Sequence, residues 1–149
     1  MASGPSESRR YDLDNALGFW LHLCQNKIRN HADRMFSEHG INPEQWAVMV
    51  RLWEEDGRSQ TELAQLTFRD KPSVTRMVDG LERRGYVVRG RNLEDGRSHR
   101  VVLTRAGREL EGVLVPRVRA LVEQWTRGIP KADLAVTLRT LRALHDNVD

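Results

Sequence analysis

Apolar residues recur at helical spacing along most of the chain. The first stripe comprises Leu17, Trp20, Leu21, Cys24 and Ile28. Because this signal begins at Leu13, it predicts a long first helix from that residue. Asn42 and Pro43 then form a favourable helix start, and Gly57 is placed to end this second helix. The pattern therefore predicts two helices before the middle of the chain.

Two short helices are predicted in tandem between Ser59 and Gly85. Ser59 and Glu62 have the spacing of a capping box, which marks a helix start. Asp70 can cap the next helix, whose first turn tolerates Pro72 and whose end fits Gly85. The predicted buried stripe of this helix comprises Val74, Met77, Val78 and Leu81. Its opposite, polar face is then available to enter a groove.

After Gly85 the pattern changes to short β-branched runs. Residues 86–89 and 100–103 form two such runs, and the turn-rich segment 92–98 separates them. This arrangement predicts a β-hairpin with an exposed basic tip. Two tandem helices followed by a hairpin indicate a winged helix-turn-helix, so we expect a mainly α fold with a small β-hairpin wing.

Long helices are predicted on both sides of this central region. Thr104 can cap a helix that we expect to bend at Pro116, and Gly128 with Pro130 separates it from a last helix. The apolar stripes of the terminal helices exceed what a small winged domain can cover, which favours a symmetric dimer. The alternative is that these helices fold back on their own core. We divide the chain into a flexible arm (1–10), dimerisation helices (11–41 and 105–149) and the winged helix-turn-helix region (42–104).

Positive charge is concentrated in and beside the predicted wing. The whole chain has a net charge of +3, whereas residues 83–108 contain eight Arg against Glu94 and Asp95, a local balance of +6. Phosphate contacts supply much of the affinity for nucleic acid, and Arg suits both phosphate and guanine. The sequence therefore predicts double-stranded DNA as a partner. The predicted contacts are Lys71, Ser73, Thr75, Arg76, Arg83, Arg89, Arg91 and Arg100.

Other classes of protein lack support in the sequence. A single Cys24 excludes an internal disulfide and fits a reducing compartment. The five His residues have no tight metal-binding spacing, and neither a Gly-rich phosphate loop nor a nucleophile elbow occurs. No stretch approaches the roughly 20 apolar residues that span a bilayer, and residues 1–10 lack the apolar core of a signal peptide. We expect a cytoplasmic protein that is not an enzyme and needs no metal or cofactor.

Three segments carry a family resemblance. They are Val74–Val87, Glu94–Ser98 and Leu103–Gly107. With them the chain resembles the MarR family of bacterial transcriptional regulators, over about Leu13 to Leu144. The resemblance implies a homodimer, most often a repressor, that places one recognition helix per subunit in successive major grooves of a pseudo-palindromic operator. It also implies that Arg97 lies in or beside the minor groove, where Asp95 holds it by a charge-assisted hydrogen bond.

Members of this family commonly bind a small phenolic or other aromatic ligand near the dimer helices. Trp20, His22, Cys24 and Trp46 lie on the helices expected to line that cavity, where aromatic walls with a few polar groups suit such a ligand. The alternative is that the apolar residues belong to the core and that His22 is a surface residue. Gly18 stands where peroxide-sensing members carry their reactive cysteine, so sensing by that route is not expected.

Two further functions are compatible with the sequence. In a non-specific, nucleoid-type DNA binder the wing would supply affinity and the helix would contact no particular base. In a protein-interaction module the winged fold would serve as a scaffold, because a fold does not dictate a function. Competition with bulk DNA separates these from a specific regulator.

Overall fold

The computed structural model describes residues 10–91 and 99–148 and shows a mainly α-helical fold with a small sheet. The helices are α1 (Leu17–Ser37), α2 (Pro43–Glu54), α3 (Gln60–Thr67), α4 (Lys71–Arg83), α5 (Arg105–Trp125) and α6 (Lys131–Asn147), and the strands are β1 (Arg58–Ser59), β2 (Val87–Arg91) and β3 (His99–Leu103). This confirms the predicted fold class. Residues 1–9 of the predicted arm and 92–98 of the predicted wing tip lie outside the described residues.

The contacts divide the chain into two compact units, with the boundary between Glu109 and Leu110. The first unit contains α1 to α4, the sheet and the start of α5. In the second unit Leu110 and Leu114 are buried, and α5 runs continuously through Pro116. None of the helices in the described part of the chain is both long and apolar enough to cross a membrane.

The first α-helix begins later than the sequence predicts. Leu13–Asn15 form a separate 3-10 helix, and Ala16 has extended backbone angles, so α1 starts only at Leu17. The Asn15 side-chain amide donates to the Asp12 carboxylate at 2.6 Å. Such local side-chain bonds favour turns over a continuous helix, which gives a physical reason for the break.

Side-chain caps begin both helices of the helix-turn-helix, α3 and α4. The Ser59 hydroxyl accepts from the Glu62 N–H at 3.1 Å, and the Asp70 carboxylate accepts from the Ser73 N–H at 2.8 Å. Gly85 has a φ of +79° and follows the end of α4, as predicted. The predicted start and end signals of α4 are therefore confirmed.

The core of the first unit forms where α4 packs against α2 and α3. Val74, Val78 and Leu81 of α4 are fully buried, which confirms most of the predicted stripe. Met77 is only half-buried, contrary to that prediction, because it lines an open cleft beside α2. The buried stripe fixes which face of α4 remains available to a partner.

The wing is a three-stranded antiparallel sheet in the order β1-β3-β2 rather than an isolated hairpin. Val87 pairs with Leu103 and Arg89 with Val101, while β1 adds the pair Arg58 and Val101 on the other side of β3. A two-residue strand is too short to produce a period-2 pattern, so the sequence does not predict β1. Because α3 follows β1 directly, the sheet is joined to the helix-turn-helix at its first helix.

Candidate nucleic-acid interface

The first two turns of α4 present polar side chains on the face opposite the core. Lys71 and Arg76 are exposed, and Ser73 and Thr75 are half-buried. The N-terminal end of a helix carries partial positive charge, which adds to the two cations and favours a polyanion. This face of α4 is therefore the candidate interface.

A chain of hydrogen bonds organises the start of α4. The Asp70 carboxylate accepts from the Ser73 hydroxyl at 2.6 Å as well as from its N–H, and the Ser73 hydroxyl accepts from Arg76 Nη2 at 3.1 Å. These bonds from Ser73, with the nearby charge of Arg76, lower the pKa of Asp70 from its ordinary value of 3.8. The chain of bonds holds the Arg76 guanidinium over the first turn, while its side chain stays exposed.

Thr75 connects the two helices of the helix-turn-helix. Its hydroxyl lies 2.9 Å from Gln60 Oε1 in α3 and 3.0 Å from the Lys71 carbonyl. The Thr75 hydroxyl thus lies within hydrogen-bond distance of one acceptor in its own helix and one in α3. Gln60 is a site residue that sequence reasoning missed, because its position predicts only the first residue of a helix.

An open polar cleft of about 320 Å³ flanks Arg76. It is lined by Asn42, Glu44, Gln45, Arg69, Ser73, Arg76 and Met77. Glu44 lies 3.8 Å from Arg69 and 3.5 Å from Arg29, so its carboxylate offsets part of their charge. Arg76 instead contacts the neutral Ser73 hydroxyl. That hydroxyl donates to the Asp70 carboxylate, so each of the two cleft arginines lies near a carboxylate.

Two arginines that the sequence predicts at the DNA surface have partners within the first unit. Arg100 Nη1 donates to the Gly57 carbonyl at 3.0 Å. Arg89 Nη2 lies 2.6 Å from Asp79 Oδ1, and only 19% of the Arg89 side chain is exposed. Arg89 therefore forms an internal ion pair, while its predicted phosphate contact stays a prediction. The ion pair could not be predicted from the sequence, because the two residues lie on different elements.

The remaining predicted contacts divide into two groups. Arg83 is exposed on the last turn of α4, where it can meet a phosphate. The side chain of Arg91, together with Asp95 and Arg97, lies outside the described residues. These three stay predictions of the sequence and of the family resemblance.

The four residues predicted for a ligand cavity do not come together within one chain. Trp46 stacks on Phe36 with ring centroids 5.4 Å apart and packs edge-on against Trp53 at 5.5 Å. Phe36 lies sixteen residues beyond Trp20 on α1, about 24 Å at 1.5 Å per residue. Trp46 therefore belongs to an aromatic cluster at the opposite end of α1 from Trp20.

The other three, Trp20, His22 and Cys24, are exposed near the start of α1. The Trp20 indole N–H donates to the Asp14 carbonyl at 2.6 Å, and the His22 ring lies 3.1 Å from the Asn26 amide. Among residues 10–91 and 99–148, no group of three or more His, Cys, Asp or Glu could hold a metal ion.

Comparisons with known proteins agree on one class of protein. The model of the MarR family matches residues 41–99. The transcriptional activatory protein BadR of Rhodopseudomonas palustris is 28% identical, over 99% of this chain and 87% of BadR. The crystal structure of a probable transcriptional regulator from Pseudomonas aeruginosa is 32% identical, covers 89% of this chain and 98% of its own, and superposes with a TM-score of 0.76.

A further likeness concerns the fold alone. The S. aureus MepR chain, solved in complex with DNA, is 18% identical and superposes with a TM-score of 0.81, over 89% of this chain and 98% of MepR. The Pseudomonas aeruginosa regulator thus shares both sequence and architecture with 89% of this chain, whereas MepR shares its architecture.

Proposed function

The chain belongs to the MarR family of transcriptional regulators, and on this premise we propose that it binds a pseudo-palindromic DNA operator as a homodimer. The observation that carries the proposal is the amphipathic character of α4, whose core face is fully buried while Lys71 and Arg76 stand exposed at its N-terminal end. In a helix-turn-helix the N-terminal residues of the second helix contact base edges. Two copies of α4 would then occupy major grooves about 34 Å apart.

The proposed contacts differ in what they contribute. Ser73, Thr75 and Arg76 contact bases, because they lie on the first turns of α4. Lys71 and Arg83 contact phosphates and position the protein without selecting a sequence. In the wing, Arg91, Arg97 and Arg100 add further contacts, with Asp95 orienting Arg97. Because DNA is the proposed partner, we propose a cytoplasmic location, and the proposed binding needs no metal, cofactor or enzymatic step.

Exposed apolar side chains support the homodimer. Leu13, Leu17 and Trp20 are at least half-exposed in the first unit, and in the second unit Leu138 and Val136 are 54% and 48% exposed. Large apolar side chains left in water are a cost that a second copy can remove. A two-fold dimer would bury such residues from both chains in one interface.

We propose that operator binding represses transcription, as most often in this family. A second candidate is activation, and a specific observation favours it: BadR, which matches over 99% of this chain, is named a transcriptional activatory protein. Deleting the gene separates the two. Transcripts from operator-bearing promoters rise on deletion if the protein represses them and fall if it activates them.

We further propose that a small aromatic or phenolic effector weakens operator binding. Trp20 and His22 support this, because they place an indole and an imidazole on the exposed part of α1. The test is operator affinity and thermal midpoint across a panel of aromatic acids and phenols. Operator affinity that no compound changes would contradict an effector of this class.

The central experiment begins with selection of duplexes from a random-sequence library by the full-length protein. The selected duplex is then labelled, and fluorescence anisotropy is measured against bulk DNA competitor. A specific site is expected to bind at least about 1000-fold more tightly than bulk DNA. Equal binding to both would indicate a nucleoid-type binder, and no binding to either would indicate a protein-interaction module.

A further inference from the structure

Arg89 of β2 binds α4 through both its backbone and its side chain. Its N–H donates to Glu82 Oε2 at 2.9 Å. Its guanidinium donates to Asp79 Oδ1 at 2.6 Å, to the Thr75 carbonyl at 3.1 Å and to Glu82 Oε1 at 3.4 Å. Hydrogen bonds between charged groups are roughly twice as strong as neutral ones. These contacts connect the wing directly to the helix proposed to contact bases.

The charge of this cluster disfavours a phosphate. Arg89 contributes one positive charge, whereas Asp79 and Glu82 contribute two negative charges, so the three side chains sum to −1. The carboxylates are also more exposed than the guanidinium, at 51% and 42% against 19%. A phosphate at this place would meet more negative than positive charge. Arg89 is therefore poorly suited to the phosphate contact that its residue type suggests.

The three partners of Arg89 lie along one face of α4. From Thr75 to Glu82 there are seven residue steps, about 10 Å of helix at 1.5 Å per residue. Attachment over this length restrains both the distance and the angle between β2 and α4. Thr75 also bonds Gln60, so the same network reaches α3.

We propose that Arg89 is a positioning residue, which holds the wing at a fixed distance and angle from α4 and thereby sets operator discrimination without touching DNA. This inference rests on the proposed function. Base contacts require accurate donor and acceptor geometry, whereas phosphate contacts carry no sequence information. Loosening the connection between β2 and α4 therefore costs base contacts first.

The test uses the full-length protein, a duplex selected by the wild type from a random library, and sheared bulk DNA over a salt series. Arg89→Ala is expected to lower the preference for the selected duplex by about 10-fold, the effect of one lost base contact. The slope of log affinity against log salt is expected to stay unchanged. A reduction of that slope by about 1 per subunit, with the preference intact, would show a phosphate contact and overturn the proposal.

Asp79→Asn gives a second test, because it has different effects on DNA binding if Arg89 positions the wing and if Arg89 binds phosphate. This test can be used even if Arg89→Ala lowers the folded fraction of the protein. If Arg89 positions the wing, removing its strongest partner lowers the preference for the selected duplex. If Arg89 binds phosphate, releasing it tightens binding and leaves the preference intact, which overturns the proposal. The double variant is expected to be no worse than Arg89→Ala alone, because both changes break one interaction.

Thermal midpoints and far-ultraviolet circular dichroism establish that each variant is folded under the binding conditions. If the wild type selects no duplex at all, the proposed function fails and this inference fails with it. If the wild type selects a duplex and Arg89→Ala changes only the salt slope, this inference fails while the proposed function stands.

Discussion

The indole N–H of Trp53 in α2 donates to the carbonyl of Gly107 in α5 at 2.9 Å. The same glycine is buried, and a Cβ built on it would overlap the backbone carbonyl of Tyr86. The Tyr86 carbonyl in turn accepts from the Thr104 N–H at 3.0 Å. The start of α5 can approach the entry to the wing this closely only because residue 107 has no side chain.

Gly107→Ala is expected to destabilise the protein by about 2 kcal/mol, since a backbone carbonyl cannot move aside as a flexible side chain can. The free energy of unfolding in urea measures this. Gly112→Ala in the same helix is the matched control, because its Cβ would meet nothing within 4 Å. There the replacement is expected to stabilise by about 0.5–1 kcal/mol, the usual gain of alanine within a helix. Equal effects at the two positions would contradict this account.

The lowered pKa of Asp70 predicts that the stability of the protein depends on pH. Its pKa in the folded state is lowered below 3.8, first by the Ser73 hydroxyl and then by the Ser73 N–H. The stabilisation is therefore fully present above the unfolded pKa and is lost as the pH falls through the folded pKa. Asp70→Asn keeps a good helix cap without the titration.

Urea unfolding of both proteins from pH 7 to pH 3 measures the Asp70 contribution. Above about pH 4 the wild type is expected to have a higher free energy of unfolding than Asp70→Asn. This difference is expected to decrease below about pH 4, near the ordinary pKa of the carboxyl. An advantage that stays constant down to pH 3 would show that the charge of Asp70 is not what stabilises the start of α4.

Arg76→Ala is expected to lower discrimination between operator and bulk DNA by about 1–3 kcal/mol, the value of one base contact. Anisotropy titrations against both kinds of DNA measure it. Arg142→Ala, at an exposed position of α6, is the control and is expected to leave discrimination unchanged. A sequence-independent loss in Arg76→Ala would contradict a base contact there.

Arg97→Ala in the predicted wing tip is expected to weaken binding to every sequence and to lower the slope of log affinity against log salt.

Leu17→Glu is expected to convert the proposed dimer into a monomer of 17.2 kDa, because a buried carboxylate in an apolar interface has no partner. Leu17 is 55% exposed in the single chain. Val88→Glu is the control, since Val88 is 48% exposed on β2, outside the predicted dimerisation helices. Sedimentation velocity distinguishes the two variants. Leu17→Glu that sediments as a dimer would place the interface elsewhere.

Phe68→Gly is expected to stabilise the protein by about 1 kcal/mol. Phe68 ends α3 in the left-handed conformation, with a φ of +54°. This conformation costs a residue with a Cβ about 1 kcal/mol, whereas glycine adopts it freely. The Phe68 side chain is 75% exposed. Thermal unfolding measures the gain. Phe68→Ala retains a Cβ and is expected to show no such gain, so equal stabilisation by both changes would attribute the effect to the lost ring.

Local sequence signals predicted the elements of the helix-turn-helix. Asp70, the buried stripe through Val74 and Val78, and Gly85 each act within a few residues, so their effects can be recognised without tertiary contacts. The same signals located the start of α2 at Asn42, where both halves of a capping box form with Gln45. Such short-range chemistry is what a single sequence encodes most directly.

Contacts between distant elements could not be predicted in this way. An arginine on β2 has the same sequence signature whether it meets a phosphate or Asp79, and only the fold decides between them. β1 exists because Arg58 and Ser59 come to lie beside β3, since two residues have no period of their own. The Trp46 ring likewise gave a signal compatible with a cavity or a core, and its stacking on Phe36 could not be predicted from the sequence.

The three-stranded sheet restricts which DNA shapes the proposed operator interface can bind. β1 leads directly into α3, β2 is bound to α4, and β3 joins the two strands, so the wing is attached to both helices of the motif. An interface of fixed span fits only DNA whose groove widths match it. Sequence-dependent stiffness of the duplex between the contacted bases would then affect affinity, so base pairs that no side chain touches would also contribute to operator choice.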